Sequence, residues 1–328
     1  MAEPLVSVCC ITYNQEKYIR SAIDSFIDQK ADFPFEVIIH DDASTDKTPE
    51  IIREYAEKYP EIIRPVLQSE NQKSKGRLIM PIIMRMARGE YIALCEGDDY
   101  WTDEDKLAYQ VEAMRNRPEI HVSFHPASTE EADGTKNGEL CNYGIDEKIY
   151  SVKEVIEGDG GFMPTVSLMF RREAIAKILD FADTYPDTPV GDYFYQILAS
   201  INGGALYLPR KMAVYRVFAQ GSWSEKMALD QSYYLRWLDR HVNALENIDK
   251  YLNFRFSESL RRVIRKMCVS GIGRKSLSTE KRRAVYNAYS SELFFIDKIL
   301  WYSVFRTKHL YNALYGFRKF LKIFLKIS

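Results

Sequence analysis

FEVIIHDDASTDKTPEIIREYAEKY, residues 35–59, joins an unbroken apolar run to a turn-rich segment and then to a helical pattern. FEVIIHDD (35–42) is apolar on successive residues, so both faces of the strand it predicts are buried. DASTD is turn chemistry. In TPEIIREYAEKY (48–59), Thr48 suits an N-cap and Pro49 suits the first helical turn. The same unit precedes it: LVSVCCI (5–11) is a β-prone apolar run, and Ile19, Ala22, Ile23, Phe26 and Ile27 recur at helical spacing. A third buried strand, YIALCE (91–96), follows a helix predicted over 78–88. Doubly apolar strands alternating with helices indicate an α/β fold, a doubly wound and mostly parallel sheet with helices on both faces. In such sheets ligands bind beyond the carboxyl ends of the strands, and the polar clusters Thr12-Tyr13-Asn14, Asp41-Asp42 and Asp98-Asp99 fall there.

Outward from this half, residues 118–224 mix short strand-like pieces (HVSFH, TVSLMFR, GALYLP, AVYRVF) with a helix at about 173–182, and from residue 225 the pattern is helical with a break at 270–279. The 328 residues are 46% hydrophobic and 28% charged, an ordinary globular composition. Lys plus Arg at 45 against Asp plus Glu at 46 gives no overall charge with which to argue for a nucleic-acid partner. The five cysteines form no CxxC pair and read as reduced structural residues. No signal peptide and no membrane-spanning run is expected, which points to the cytoplasm. The tail at about 310–327 places Leu314, Phe317, Phe320, Leu321, Phe324 and Leu325 on one helical stripe, with Arg318, Lys319, Lys322 and Lys326 elsewhere and no acidic residue after Asp297. A basic amphipathic helix of this kind suits an anionic membrane surface, which makes the protein peripheral at the inner face of the cell membrane; packing on its own domain is the alternative.

LCEGDDYW (94–101) sets three carboxylates, Glu96, Asp98 and Asp99, at the end of a buried strand, where they repel one another unless a ligand offsets the charge. Asp103, Glu104 and Asp105 have a simpler reading, because Thr102–Asp105 resembles a capping box. Neighbouring strand residues face opposite sides, so Asp98 and Asp99 share a ligand only if Gly97 lets the chain turn, and they should then do different jobs. Carboxylates suit Mg²⁺ or Mn²⁺, and a small cation held by one or two of them keeps positions for diphosphate oxygens. Neither GxxxxGK[ST] nor GxGxxG occurs, so a divalent cation is the natural holder of phosphate.

VSVCCITYNQEKYIRSAIDSFIDQ, FEVIIHDDASTDKT, ARGEYIALCEGDDYW and VGDYFYQIL, in this order and spacing, resemble the family 2 glycosyltransferases of the GT-A fold, over about residues 5–224. The resemblance implies a glycosyltransferase domain over 1–224, with a donor-binding half at about 1–115 and an acceptor-binding half at about 116–224, followed by a helical region at 225–328. It implies that Thr12, Tyr13, Asn14 and Asp42 hold the nucleobase of a nucleotide-sugar donor, with the Tyr13 ring for stacking, and that Lys75 and Arg77 lie near the nucleotide. Glu96 stands in place of the family's first Asp; Asp98 would contact the ribose and Asp99 the metal. Asp192 in VGDYFYQILAS matches the catalytic base, a role compatible with its place at a helix start. Phe218 stands where many relatives carry a His, leaving the cation to Asp99, donor phosphates and water, or the leaving diphosphate to Arg216. GGFMPTVSLMFRRE (160–173) matches the acceptor-side strand, and Trp101 and Trp223 are candidates for stacking on sugar rings.

The expectation is therefore an inverting transferase, of hexosyl or N-acetylhexosaminyl type, moving a sugar from a nucleotide-linked donor, UDP-linked by the motif set, to a hydroxyl of a glycan or lipid-linked glycan, as in bacterial surface polysaccharide assembly. The alternative is a nucleotide-sugar binding protein with weak or no turnover, for which Phe218 is the signature. A nucleotidyltransferase ranks last, because no basic, glycine-rich phosphate loop lies between Thr12 and Arg20.

Overall fold

In the computed structural model, residues 3–301 apart from 132, 190, 220, 221, 296 and 300 are described; the tail at 310–327 lies outside them. The unit over 35–59 folds as β2 (Phe35–Asp41) and α2 (Thr48–Lys58), preceded by β1 (Val6–Thr12) and α1 (Ile19–Ile27) and followed by β3 (Ile63–Leu67). A helix α3 (Ile79–Met84), shorter than the 78–88 expected, leads to β4 (Tyr91–Glu96). It stops because the chain must turn back under β1, where Gly89 lies so close that a Cβ would meet the Ser7 nitrogen at 2.5 Å. β1 pairs in parallel with β2 on one side and β4 on the other, and β2 with β3.

Beyond β4 come β5 (Tyr100–Trp101), α4 (Lys106–Arg115), β6 (Val122–Phe124), β7 (Ala127–Glu131), β8 (Lys136–Leu140), β9 (Lys148–Tyr150) and α5 (Val152–Glu157). β10 (Met169–Arg171), α6 (Arg172–Thr184), α7 (Asp192–Ser200), β11 (Ala205–Tyr207) and β12 (Ala213–Val217) complete the mixed half. The main sheet runs β3-β2-β1-β4-β10-β6-β11-β9, and β5-β12-β7-β8 form a smaller sheet. The parallel order is interrupted by β10, antiparallel to both β4 and β6. Among the described residues four helices follow: α8 (Trp223–Leu229), α9 (Gln231–Tyr251), α10 (Ser257–Gly273) and α11 (Thr279–Tyr289).

Alternation along β1 divides the core as a two-sided sheet requires. Val6, Val8 and Cys10 pack with α1, α2 and α4, while Cys9 joins α3, α6, α7 and the α9–α11 helices in one continuous cluster. Each fully buried Val, Ile or Leu of these layers contributes about 1.5–3 kcal/mol. All five cysteines are free thiols.

One charge is built into the sheet. Glu36, 2% exposed, accepts from the Ser7 hydroxyl at 2.7 Å and pairs with Arg64 at 2.5 Å and Arg88 at 2.7 Å. Burial alone would raise its carboxyl, but hydrogen bonds from Arg88, Ser7 and Arg64 prevail and hold it down at about 2. A depressed carboxyl stabilises the fold above its unfolded value and loses that contribution as pH falls through the folded one. Glu36→Gln is therefore expected to cost about 2–4 kcal/mol at neutral pH. Denaturant titrations should show the gap from wild type closing between about pH 5 and pH 2.

Candidate active site

Three strand ends meet where β1 and β4 part. Beyond β1, the loop 12–16 is sewn to the loop 42–48: Asn14 N donates to Ser44 Oγ at 2.8 Å, Asn14 Oδ1 accepts from Thr45 N at 2.8 Å, and Gln15 N donates to Thr48 Oγ1 at 2.9 Å. Asn14 takes φ 53°, a left-handed conformation that Asn tolerates. This double loop holds out Tyr13, 45% exposed. Thr12 is buried and donates to Gln15 Oε1 at 2.7 Å. Thr48, expected as a helix cap by its own hydroxyl, serves this loop instead, and Asp46 Oδ1 accepts from the Thr48 nitrogen at 2.9 Å.

Asp42 is buried at the end of β2, and its two oxygens accept from Gln72 N at 2.7 Å and Lys73 N at 3.0 Å. It thereby anchors the 3-10 turn Lys73–Lys75 at the cleft. Of the basic residues expected near a nucleotide, Lys75 pairs with Glu70, and Arg77 donates to Gln72 Oε1 at 3.1 Å. The charge of this turn that acts on the acidic cluster is Lys73, which favours the ionised forms of Glu96 and Asp98. No motif marked Lys73; the burial of Asp42 beneath it is the signal, and that is visible only in three dimensions.

The acidic segment turns at Gly97, with Asp99 N donating to Glu96 O at 3.0 Å. A Cβ at Gly97 would lie 2.6 Å from Gln15 Oε1 and 2.8 Å from Thr12, so the β1 loop closes over a bare backbone. The turn separates the carboxylates, as strand alternation requires. Asp98 is hydrogen-bonded by Gln15, whereas Asp99 is buried and its Oδ1 accepts from Arg216 N in β12 at 2.8 Å. Asp99 Oδ2 has no hydrogen-bond partner among the described residues. Burial is the largest cause raising all three carboxyls: Glu96, flanked by the charges of Asp98 and Asp192, is lifted to about 8, and Asp99, repelled by Asp98 and Glu96, lies well above the usual range.

Arg216 does not stand open to a phosphate. Its guanidinium bonds Glu130 at 3.0 Å and the Asp98 carbonyl at 2.7 Å and lies over the rings of Tyr18 and Tyr100. It offsets the acidic cluster from behind. Phe218, just beyond β12, is 51% exposed in a left-handed conformation, φ 57°, with its nitrogen bonded to Ser224 Oγ at 3.0 Å.

Two expectations are corrected here. Trp101 is no sugar platform: it is 3% exposed, packs edge-on against Phe26 at 4.8 Å, donates to Val166 O at 3.1 Å and carries Lys106 over its face. It lies in one buried apolar cluster with Phe26, Leu107, Val111 and Val166, so the ring belongs to the core. The capping box at Thr102–Asp105 does not form either. α4 starts at Lys106 without a side-chain cap, because both nitrogens that the box needs are taken: Thr102 N donates to Met212 O at 2.9 Å and Asp105 N to Asp103 Oδ1 at 3.0 Å. Trp223, by contrast, opens α8 at 42% exposure, edge-on to Trp237 at 6.0 Å.

Across the cleft, Asp192 is the first residue of α7, with Gly191 rather than Asp192 at the N-cap. A Cβ at Gly191 would fall 2.0 Å from the Tyr195 hydroxyl, so glycine is what lets the helix begin there. Thr165, in a 3-10 turn ahead of β10, donates to Asp192 Oδ2 at 3.1 Å, while Oδ1 has no partner among the described residues. Burial raises this carboxyl above the ordinary Asp value, against hydrogen bonds from Tyr193 N and Thr165. Asp192 is thus fixed at one oxygen and free of partners among the described residues at the other, near enough to Glu96 for its charge to raise that carboxyl.

The divalent cation expected here fits in one form. Asp99 supplies a buried carboxylate oxygen with no other partner, and among the described residues no group of three His, Cys, Asp or Glu side chains is arranged as a ligand set. A cation at this place would have one main protein ligand.

Residues 7–179, more than half of the chain, match the profile of Glycosyl transferase family 2. The chain belongs to that family. The match ends inside α6, so Asp192, Arg216, Phe218 and Trp223 lie past it. A Mycobacterium tuberculosis protein, described only as uncharacterised, is 40% identical over 222 residues, 66% of this chain and 60% of its own. The chain therefore spans less than two thirds of that protein's length. Among solved structures, Staphylococcus aureus TarS 1–349 with UDP-GlcNAc matches 96% of this chain and 87% of its own at TM-score 0.61 and 17% identity. The mannosyltransferase PcManGT of Pyrobaculum calidifontis, solved with GDP-Man and Mn²⁺, matches 99% and 89% at TM-score 0.54 and 18% identity. These likenesses establish the GT-A fold for this family member.

Proposed function

We propose that this protein is an inverting glycosyltransferase that moves a sugar, of hexosyl or N-acetylhexosaminyl type, from a UDP-linked donor to a hydroxyl of a glycan or lipid-linked glycan. The observation that carries the reading is Asp192, held by Thr165 at one oxygen and without a partner among the described residues at the other, near enough to Glu96 of the acidic turn for its charge to act there. Family membership and the nucleotide-sugar complexes of TarS and PcManGT support it.

In this reading Tyr13 stacks on the base, and Asp42, whose oxygens each keep a lone pair beyond their bonds to Gln72 and Lys73, accepts the base's imino hydrogen. Asp98 and Glu96 face the ribose and the donor sugar, and Lys73 lies nearest the phosphates. Asp99 would hold Mg²⁺ or Mn²⁺, which when bound supplies positive charge against the departing diphosphate. Asp192 Oδ1 takes the proton of the acceptor hydroxyl as that oxygen bonds to the anomeric carbon; the bond from that carbon to the diphosphate breaks, and the nucleoside diphosphate leaves with its electron pair. One displacement inverts the centre.

Phe218 favours a second reading, donor binding without transfer, since an exposed ring ligates neither cation nor phosphate. Thermal stabilisation by UDP- and GDP-sugars with and without Mn²⁺, paired with release of nucleoside diphosphate over an acceptor panel, separates the two. A donor that stabilises the protein more strongly with Mn²⁺ and releases diphosphate only with acceptor is expected. Stabilisation without release supports the second reading, and no stabilisation by any donor rejects both.

A further inference from the structure

The near-zero net charge conceals a division. Residues 257–328 hold 16 Lys and Arg against 4 Asp and Glu, a net of +12, so residues 1–256 carry –13. Such asymmetry marks a surface that meets an anionic partner. Within the basic part, Phe294 is 58% exposed, Phe295 79% and Ile299 41%, while Leu293, Asp297 and Trp301 between and beside them are buried. The buried residues fix the segment to the body, so the exposed rings are held outward and not merely loose. Arg265 of α10 lies over the Phe294 ring at 3.7 Å, which sets a cation directly against the apolar patch. Residues 302–328 add six Lys and Arg, no Asp or Glu, and many bulky apolar residues. Adjacent exposed apolar side chains beside clustered cations fit a lipid interface better than nucleic acid, whose backbone offers nothing to Phe295 and Ile299. No helix among the described residues is long and apolar enough to cross a membrane.

We propose that the C-terminal helical region docks on an anionic lipid surface, with Phe294, Phe295 and Ile299 entering the interface and Arg265 and its basic neighbours meeting the headgroups. The same helix α10 grips the acceptor side: Ser259 donates to Glu157 at 2.8 Å, Arg262 pairs with Glu157 at 3.2 Å and Lys266 with Asp159 at 2.8 Å. Glu157 and Asp159 lead directly into the glycine segment before Thr165, so docking would hold that side of the cleft close to the lipid. The docking itself does not depend on sugar transfer.

Co-sedimentation of the full chain with extruded vesicles tests it, comparing pure phosphatidylcholine with phosphatidylcholine containing about 30% phosphatidylglycerol. At least about tenfold stronger binding to the anionic vesicles is expected, weakened by about 0.5 M NaCl. The double variant Phe294→Ser/Phe295→Ser should lose about tenfold in vesicle binding with unchanged melting temperature and unchanged donor stabilisation. Equal binding to both vesicle types, or wild-type binding by the double variant, overturns the proposal. So does a complex with polyuridylate in place of vesicle binding, or a dimer that the double variant dissolves without any vesicle binding. Donor stabilisation, read on the same samples, tells failure of this inference from failure of the transferase reading.

Discussion

Asp192→Asn is expected to lower sugar transfer by about 10²- to 10⁴-fold while leaving donor binding as it was. The substitution keeps the shape, and the carboxamide oxygen can still accept from Thr165, so α7 and the 3-10 turn at Thr165–Ser167 stay in register. What disappears is the free oxygen that takes a proton. Burial already makes this carboxylate more basic than an exposed one, which suits the task and is the property an amide cannot supply. Release of nucleoside diphosphate with acceptor, measured beside thermal stabilisation by donor alone, separates the outcomes. Turnover within about threefold of wild type would remove Asp192 from the base role. Loss of donor stabilisation together with turnover would instead place it in the donor site.

How far such a site can be read before folding depends on the range of the interaction involved. β2 and β4 are visible as FEVIIH and YIALCE because burial on both faces writes itself locally as an unbroken apolar run. β8 and β9 have no such mark: KNGEL is a polar piece that is a strand because it folds back on its chain neighbour β7, and KIY is only three residues long, paired with β11 far along the chain. The antiparallel placing of β10 is equally silent, since strand direction depends on the path of the connection and not on the strand's residues. At the site, Asp98 and Asp99 could be assigned different tasks from strand alternation alone, and their separate partners, Gln15 and Arg216, agree with that division. The two tryptophans could not be sorted. Trp101 and Trp223 have similar polar neighbours in sequence, and only the packing of Phe26 and Lys106 around Trp101 makes one core and leaves the other exposed. Thr102–Asp105 does not form a capping box for the same reason: Met212, far along the chain, takes the Thr102 nitrogen. Lys73 and Lys75 look alike as loop lysines in the sequence, and only the pairing of Lys75 with Glu70 in the fold tells them apart.

Asp99 should show two opposed effects in one variant. In the protein alone, Asp99→Asn is expected to raise stability by about 1–3 kcal/mol. The wild-type carboxylate is buried, its Oδ2 has no partner among the described residues, and Asp98 and Glu96 repel its charge. The carboxamide removes that charge and can keep the bond from Arg216 N through its oxygen, so the turn over Gly97 should survive. The Arg216 guanidinium, already bound to Glu130 and to the Asp98 carbonyl, loses no direct partner. Yet an amide is a poor ligand for Mg²⁺ or Mn²⁺ compared with a carboxylate, so the extra stabilisation that Mn²⁺ lends to a bound donor should vanish. Melting curves of wild type and variant, alone, with donor, and with donor plus Mn²⁺, give both answers in one series. A variant less stable than wild type would mean that the carboxylate is structural. A variant that keeps the Mn²⁺ increment would put the cation elsewhere or on donor phosphates alone. If both expectations hold, the cluster is a place where the fold gives up stability so that an oxygen remains free for a ligand, and the repulsion among Glu96, Asp98 and Asp99 has its function in the bound state.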